Sequence, residues 1–473
     1  MRLAPTRSGT RRAIVAAAAV VTTVGLTACG SVDPLLESGA ARGGADTAAP
    51  TAPSAAPAAA VTPVADTLLG WITTTDPLAI DPAAVDALAT PELTADLAPI
   101  GGLLGPIAQI QQSAPITVDA RTDDGAESTV SLRTGRGTPV TLRLRASDDG
   151  RLSGISAQPD SPDVATFADV DAALLAVGAR TSYTVSRVDA GRCDTVHDLN
   201  SGETLPLASV AKLYVLGAVA RAVDAGTVTW DEPLTVTDAR KSAPSGQLQL
   251  APEGTVVTVR EAADAMIAVS DNTATDLLID RVGRAAVEAE VAATGSSDAA
   301  ALTPFLTTRE FFLLGWGRPD GRAQWRDADT TERRQILAGL ADRTIDSNPV
   351  DPATADLDYL GIATRPATAD DVGWYATGND VCAALASLAV GPQNDVVRQI
   401  LAQNPGGEFD PSRWAYVGYK NGNAPGEVAG AWLLTDTAGQ DWVISTQLAS
   451  DTPIGPLDNA LAFEVVTRSS AFL

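Results

Sequence analysis

Three short runs in this 473-residue chain hold side chains whose types and spacing suit acyl transfer. The first is Pro206-Leu207-Ala208-Ser209-Val210-Ala211-Lys212, which leads into an apolar stretch ending at Gly226. Residues three apart on a helix share a face within about 6 Å, so Ser209 would be a nucleophile with the Lys212 amine beside it. A lysine amine takes a hydroxyl proton only when neutral, and burial near a second cation favours that state. The second run, 61 residues further on, is Ser270-Asp271-Asn272. There the Ser270 hydroxyl could relay a proton to a leaving group, and Asn272 could hold a substrate amide. The third is Tyr419-Lys420-Asn421-Gly422-Asn423. Lys420 suits a substrate carboxylate and would help keep Lys212 neutral, and Gly422 would admit a substrate backbone. Each run also has a plain structural reading. These are a helix-start serine with a snorkelling lysine, an Asp or Asn N-cap, and a hairpin turn with an incidental lysine.

Composition narrows the chemistry. The chain has one histidine, His197, and three lysines, Lys212, Lys241 and Lys420. With one histidine, a Ser-His-Asp triad is almost excluded, as are HExxH zinc sites and other multi-histidine centres, which need at least two, so the base for a nucleophile is sought elsewhere. No metal site and no cofactor is expected. His197 lies in a strand-like stretch and reads as structural. A net charge of −25 repels a phosphate backbone, which makes nucleic acid an unexpected partner. Hydrophobic residues at 45% are enough for a real core.

The elements that must position these residues follow from periodicity and turn chemistry. Residues 65–160 read as a small α+β domain. It has helical spacing near Thr67–Thr75 and Pro91–Gln112, then four alternating segments separated by turns such as Asp123-Asp124-Gly125. Residues 162–473 read as the larger unit. A helix over Val164–Val177 is followed by strand-like Ser182–Asp189 and Thr195–Leu199 and by a helical middle. Strands then return at Arg413–Tyr419, Val428–Thr435 and Asp441–Gln447, with a closing helix over Pro456–Arg468. This is a sheet divided in sequence around an all-helical insert. Thr258-Val259-Arg260-Glu261 is a capping box that starts the helix entering Ser270-Asp271-Asn272. That triplet falls in a break between two helices, a place for exposed side chains.

Taken together, order and spacing resemble the S-x-x-K, S-D-N and K-T-G set of the serine β-lactamase and penicillin-binding protein superfamily. The resemblance spans about 165–473. Lys241-Ser242-Ala243-Pro244-Ser245-Gly246-Gln247-Leu248-Gln249, Met266 to Asp276 and Thr303 to Glu310 look like the cephalosporin-esterase/LpqF-type actinobacterial lipoproteins. That subgroup includes the β-lactamase-fold protein of clavulanic acid gene clusters. The resemblance implies an α/β (α+β) fold: a β-lactamase/transpeptidase-like antiparallel sheet flanked by helices, with a small helix-plus-antiparallel-sheet domain before it. It implies Ser209 as nucleophile, Lys212 as base, Ser270 as proton relay and Lys420 as electrostatic anchor. Asn272, Gly422 and Asn423 would bind substrate, and the backbone N–H groups of Ser209 and Asn423 would form the oxyanion hole.

Two departures qualify that expectation. Class A enzymes hydrolyse the acyl-enzyme with a glutamate in an E-x-x-L-N loop, and no such motif occurs between 290 and 380. Glu310 is the nearest acid of interest, with neighbours that do not match. Lys-Asn-Gly-Asn stands where the wider family has Lys-Thr-Gly, so a hydroxyl contact to a carboxylate is lost. The expected function is a serine hydrolase acting through a Ser209 acyl-enzyme on a β-lactam, ester or peptidoglycan-like amide. The alternative is a weak or inactive binding or scaffolding protein of the same fold.

The N-terminus reads as an export segment. Arg2, Arg7, Arg11 and Arg12 precede an uncharged stretch from Ala13 to Ala28, too short to span a membrane at about 20 residues. Leu26-Thr27-Ala28-Cys29-Gly30 resembles a bacterial lipoprotein cleavage box. It implies that 1–28 is a signal peptide and that Cys29 carries lipid, anchoring the protein to the outer face of the cytoplasmic membrane. Residues 29–64, rich in Ala, Pro and Thr, read as a tether. The expected partners are a small acyl substrate and the membrane, with the protein as a monomer. Cys193 and Cys382 could pair after export, but sequence leaves open whether they meet.

Overall fold

A computed structural model describes residues 61–74, 80–346 and 355–473. The expected signal peptide, Cys29 and nearly all of the tether lie outside the described residues. The chain divides into two compact units. Among the described residues, one comprises 61–161 with Gly455–Leu461, and the other Pro162–Ile454 with Ala462–Leu473.

In the first unit, helices Thr62–Ile72, Pro82–Leu88, Pro91–Leu97 and Leu104–Gln111 precede a four-stranded sheet. The opening helix includes 62–64, which composition had assigned to the tether. Its Val64, Ala65 and Leu68 are buried, and burial of an apolar face offsets the poor helix start that proline-rich composition implies. The Pro82–Leu88 helix was not expected from sequence. It is short, and it is set by Asp81, whose carboxylate accepts from the Ala83 N–H at 3.2 Å. The four strands pair in sequence order, all antiparallel. Alternate residues Val130, Leu132, Val140, Leu142 and Leu144 face a core shared with Leu68, Leu93 and Ile107. Each such side chain contributes about 1.5–3 kcal/mol.

The second unit is built on a five-stranded antiparallel sheet. Its order is Trp414–Ala424, Glu427–Asp436, Asp441–Ala449, Arg180–Asp189 and Arg192–Leu199. Two strands thus come from before the helical stretch and three from after it. This is the mixed helix-and-antiparallel-sheet class expected from sequence. Trp414–Ala424 and Arg192–Leu199 form the edges. Cross-strand register sorts the two faces. Tyr419, Trp432 and Tyr183 lie on one, with Phe463 of the closing helix packed on Trp432 at 5.6 Å. Lys420, Gly422, Ala431, Gln447 and Thr184 lie on the other.

One expectation needs correcting. Sequence ended the strand at Tyr419, before Lys420. In the structure Lys420, Asn421, Gly422 and Asn423 are inside the Trp414–Ala424 strand, paired with Ala431, Gly430, Ala429 and Val428. The Asn-Gly-Asn run read as turn chemistry, but ladder hydrogen bonds to the next strand override that local preference. The turn comes two residues later, at Pro425-Gly426.

Cys193, on an edge strand, and Cys382, in the Gly378–Val390 helix, form a disulfide with Cα atoms 6.3 Å apart. His197 lies in the same strand as Cys193. Its Nε2 is 2.9 Å from the Asp171 carboxylate and its ring stacks on Phe167 at 4.8 Å.

Candidate active site

The site grows from three elements. The first is a 3₁₀ turn, Ala208–Ala211, that runs directly into the Lys212–Asp224 helix. Every residue of that helix from Lys212 to Ala220 is buried, so the lysine at its start is fixed by the packing of everything after it. Ala208, just before Ser209, is held at φ +43°, a left-handed conformation that costs a non-glycine residue on the order of 1–3 kcal/mol. Ser209 itself is half-buried.

The second element is the break between helices Val259–Ala268 and Asn272–Val282. Asp271 caps the second helix by accepting from the Ala274 N–H at 2.8 Å. Its other oxygen accepts from Gln247 N at 2.7 Å and Leu248 N at 2.9 Å. The capping role expected for an Asp or Asn therefore falls to Asp271, leaving Ser270 and Asn272 for other partners. Ser270 sits at φ +57°. The triplet is not exposed as sequence implied: Ser270 and Asp271 are 1% exposed and Asn272 6%. The cause is the 241–249 segment, which covers it. Asn272 donates from Nδ2 to Ala243 O at 3.0 Å and from its backbone N to Ser245 O at 3.0 Å. Ser245 Oγ donates to Ser270 O at 2.7 Å.

The third element is the edge strand. Lys420 is fully buried, and Gly422 lies against the nucleophile's own segment. A Cβ on Gly422 would come 2.4 Å from Ser209 N and 2.6 Å from Leu207 O. This glycine thus permits a close approach of the protein's own chain.

These elements bring two amines to one hydroxyl. Lys212 Nζ donates to Ser270 Oγ at 3.0 Å, Ser270 O at 2.6 Å and Asn272 Oδ1 at 2.7 Å. Lys420 Nζ also reaches Ser270 Oγ at 3.0 Å and donates to Asn421 O at 2.6 Å. Ser270 Oγ therefore sits between the two amines, and Asn423 follows Gly422 on the strand that abuts Ser209.

Acids take other places. Glu310 closes a capping box on its own helix by accepting from Thr307 N at 2.8 Å, and it pairs with Arg284 at 2.7 Å. Both bonds are structural. Asp276 is fully buried and accepts from Thr308 N, Arg309 N and the Thr308 hydroxyl at 2.7–2.9 Å. Burial pushes its carboxyl up to about 6 against those donors. A small pocket behind Ser209 and Lys212 is lined by Val215, Thr275, Phe305, Leu306, Thr308 and Trp374, and no acid is among its described lining residues.

One buried acid escaped the sequence reading. Glu427 begins the strand next to Lys420, is 1% exposed, and shares the sheet face of Lys420 and Gly422. Its Oε2 has no hydrogen-bond partner, and burial pushes its carboxyl up to about 8. A glutamate after Pro-Gly reads locally as turn polarity, and only the ladder turns it inward.

Residues 168–333 match the model of a beta-lactamase enzyme family, Beta-lactamase2. That span holds Ser209, Lys212, Ser270 and Asn272 and stops short of Lys420. Among solved structures, the chain is similar to a beta-lactamase from Sphaerobacter thermophilus, at 22% identity over 65% of this chain and 96% of that one, with a TM-score of 0.43. It is also similar to a beta-lactamase from Chitinophaga pinensis, at 17% identity over 64% and 96%, TM-score 0.42. A third is PBP-A, at 16% identity over 66% and 100%, TM-score 0.40. A search of curated proteins finds no match.

Proposed function

We propose that this protein is a serine hydrolase that works through an acyl-enzyme on Ser209. The observation that carries the reading is the convergence of the Lys212 and Lys420 amines on the Ser270 hydroxyl, 3.0 Å from each, beside the Ser209 turn. The family match over 168–333 supports a serine-hydrolase function at the level of the superfamily.

In this reading the neutral Lys212 amine takes the Ser209 proton as Oγ attacks the substrate carbonyl. The oxygen of the tetrahedral adduct is held by the backbone N–H groups of Ser209 and Asn423. The Ser270 hydroxyl then passes its proton to the departing nitrogen or oxygen and is reprotonated from Lys212. The bond to the leaving group breaks, and an ester to Ser209 remains. Lys420 stays an ammonium, giving Ser270 Oγ one amine and one cation as neighbours. The substrate class is a β-lactam, ester or peptidoglycan-like amide, with Asn272 and Asn423 contacting its polar groups. The resemblance around Cys29 supports an exported protein held by lipid at the outer face of the cytoplasmic membrane.

In this reading the acyl-enzyme is long-lived, because no E-x-x-L-N glutamate occurs between 290 and 380 and no acid is among the described residues lining the pocket beside Ser209. The test is intact-mass measurement after incubation with a penicillin and with an activated ester. Wild type is expected to gain the mass of the acyl group and Ser209→Ala to gain nothing. Absence of both adduct and product with every acyl donor would overturn the reading.

A further inference from the structure

The Ser270 carbonyl oxygen is shared. It accepts from Lys212 Nζ at 2.6 Å and from Ser245 Oγ at 2.7 Å. Ser245 is 2% exposed, so water does not replace its hydroxyl. A carbonyl oxygen has two lone pairs, and a donor on one weakens its pull on a donor at the other. Hydrogen bonding to a charged form favours that form, so the grip of this oxygen on Lys212 influences whether the amine keeps its extra proton. Ser270 itself sits at φ +57°, with its Oγ 3.0 Å from each of the two amines.

We propose that Ser245 is a positioning residue for the Lys212 amine: its hydroxyl occupies the Ser270 carbonyl and thereby limits how strongly that oxygen holds Lys212. The other charged groups nearby are committed. Lys420 lies across Ser270 Oγ. Asp271 is turned to the N–H groups of Gln247, Leu248 and Ala274, and Asp276 to Thr308 and Arg309. Ser245 is the neutral donor whose bond to Ser270 O competes directly with that of Lys212. Ser245 is not among the residues lining the pocket behind Ser209.

The inference rests on the proposed base role of Lys212 only for its kinetic consequence; the titration that tests it does not. Because the chain has three lysines, lysine labelled with ¹³C at Cε gives three signals. Lys241, paired with Asp238 at 2.8 Å, serves as internal control. In Ser245→Ala the Lys212 midpoint is expected to rise by on the order of half to one pH unit, with Lys241 unmoved. Ser245→Cys, of similar size but a weaker donor, is expected to fall between and guards against a folding defect in the alanine variant. If wild type forms an adduct, Ser245→Ala should acylate roughly three- to tenfold more slowly at neutral pH and recover at high pH. A Lys212 midpoint unchanged in both variants overturns the proposal, as does an equal displacement of Lys241. Failure of wild type to acylate, with the Lys212 shift present, would count against the proposed function and leave the positioning role standing.

Discussion

At the scale of single residues, the proposed mechanism depends on amines where arginine would not serve. A guanidinium stays protonated and cannot take a proton from Ser209, whereas an ammonium on a flexible stem can shed one. Two of the three lysines meet at one hydroxyl, which fits a chain that otherwise uses arginine for its surface charge. Glu427 allows a separate prediction. Its folded carboxyl titrates at about 8 and the unfolded one near the ordinary 4.5. Because the folded value is raised, the protonated state contributes stability that is full below about 4.5, declines as pH rises, and is lost above about 8. Glu427→Gln, an isostere of the protonated acid, should remove this decline. Thermal melts from pH 4 to 9 should show wild type losing ground to the variant as pH rises. Parallel curves would disprove the assignment.

At the scale of elements, the edge strand and the 241–249 segment do the positioning. Gly422 lets the strand lie against the turn that carries Ser209. Gly422→Ala should cost about 1–3 kcal/mol by denaturant unfolding and slow acylation, because the added Cβ displaces the Ser209 backbone. Gly246 holds the covering segment at φ +103°, with its Cα so close to Asp271 that a Cβ would come 2.2 Å from the carboxylate carbon. Gly246→Ala should also destabilise by at least about 1–3 kcal/mol by denaturant unfolding. Much at this scale was legible in sequence. The capping box at Thr258 is present as read, with Thr258 Oγ1 accepting from Glu261 N at 3.1 Å. The closing helix runs Pro456–Arg468 as its periodicity indicated. Caps and periodicity are local, so a local reading finds them. The strand end at Tyr419 was misplaced because Asn-Gly-Asn has turn propensity, and its pairing partner lies beyond the turn.

At the scale of the whole molecule, the second unit draws its sheet from both ends of a long helical stretch, and its disulfide spans a sequence separation of 189. By the chain-entropy argument, closing so long a loop restricts the unfolded chain by up to roughly 5 kcal/mol. Cys382→Ala should therefore lower the melting temperature under oxidising conditions, and a reductant should lower wild type toward the same value. A melting temperature indifferent to both would show that the bridge contributes little to folding.

Sequence by itself determined the chemical inventory: one histidine, three lysines, two serines at the right spacing, and helices whose caps and apolar stripes announce them. Composition excluded multi-histidine centres because a count needs no coordinates. The tertiary structure decided which groups meet and which are shut away. It placed Lys212 and Lys420 on one hydroxyl, joined Cys193 to Cys382, buried Ser270 and Asn272 under the 241–249 segment, and turned Glu427 inward. Each of these depends on contacts between residues tens to hundreds of positions apart. Spacing along a chain fixes faces within a helix or strand, but only packing brings one element against another.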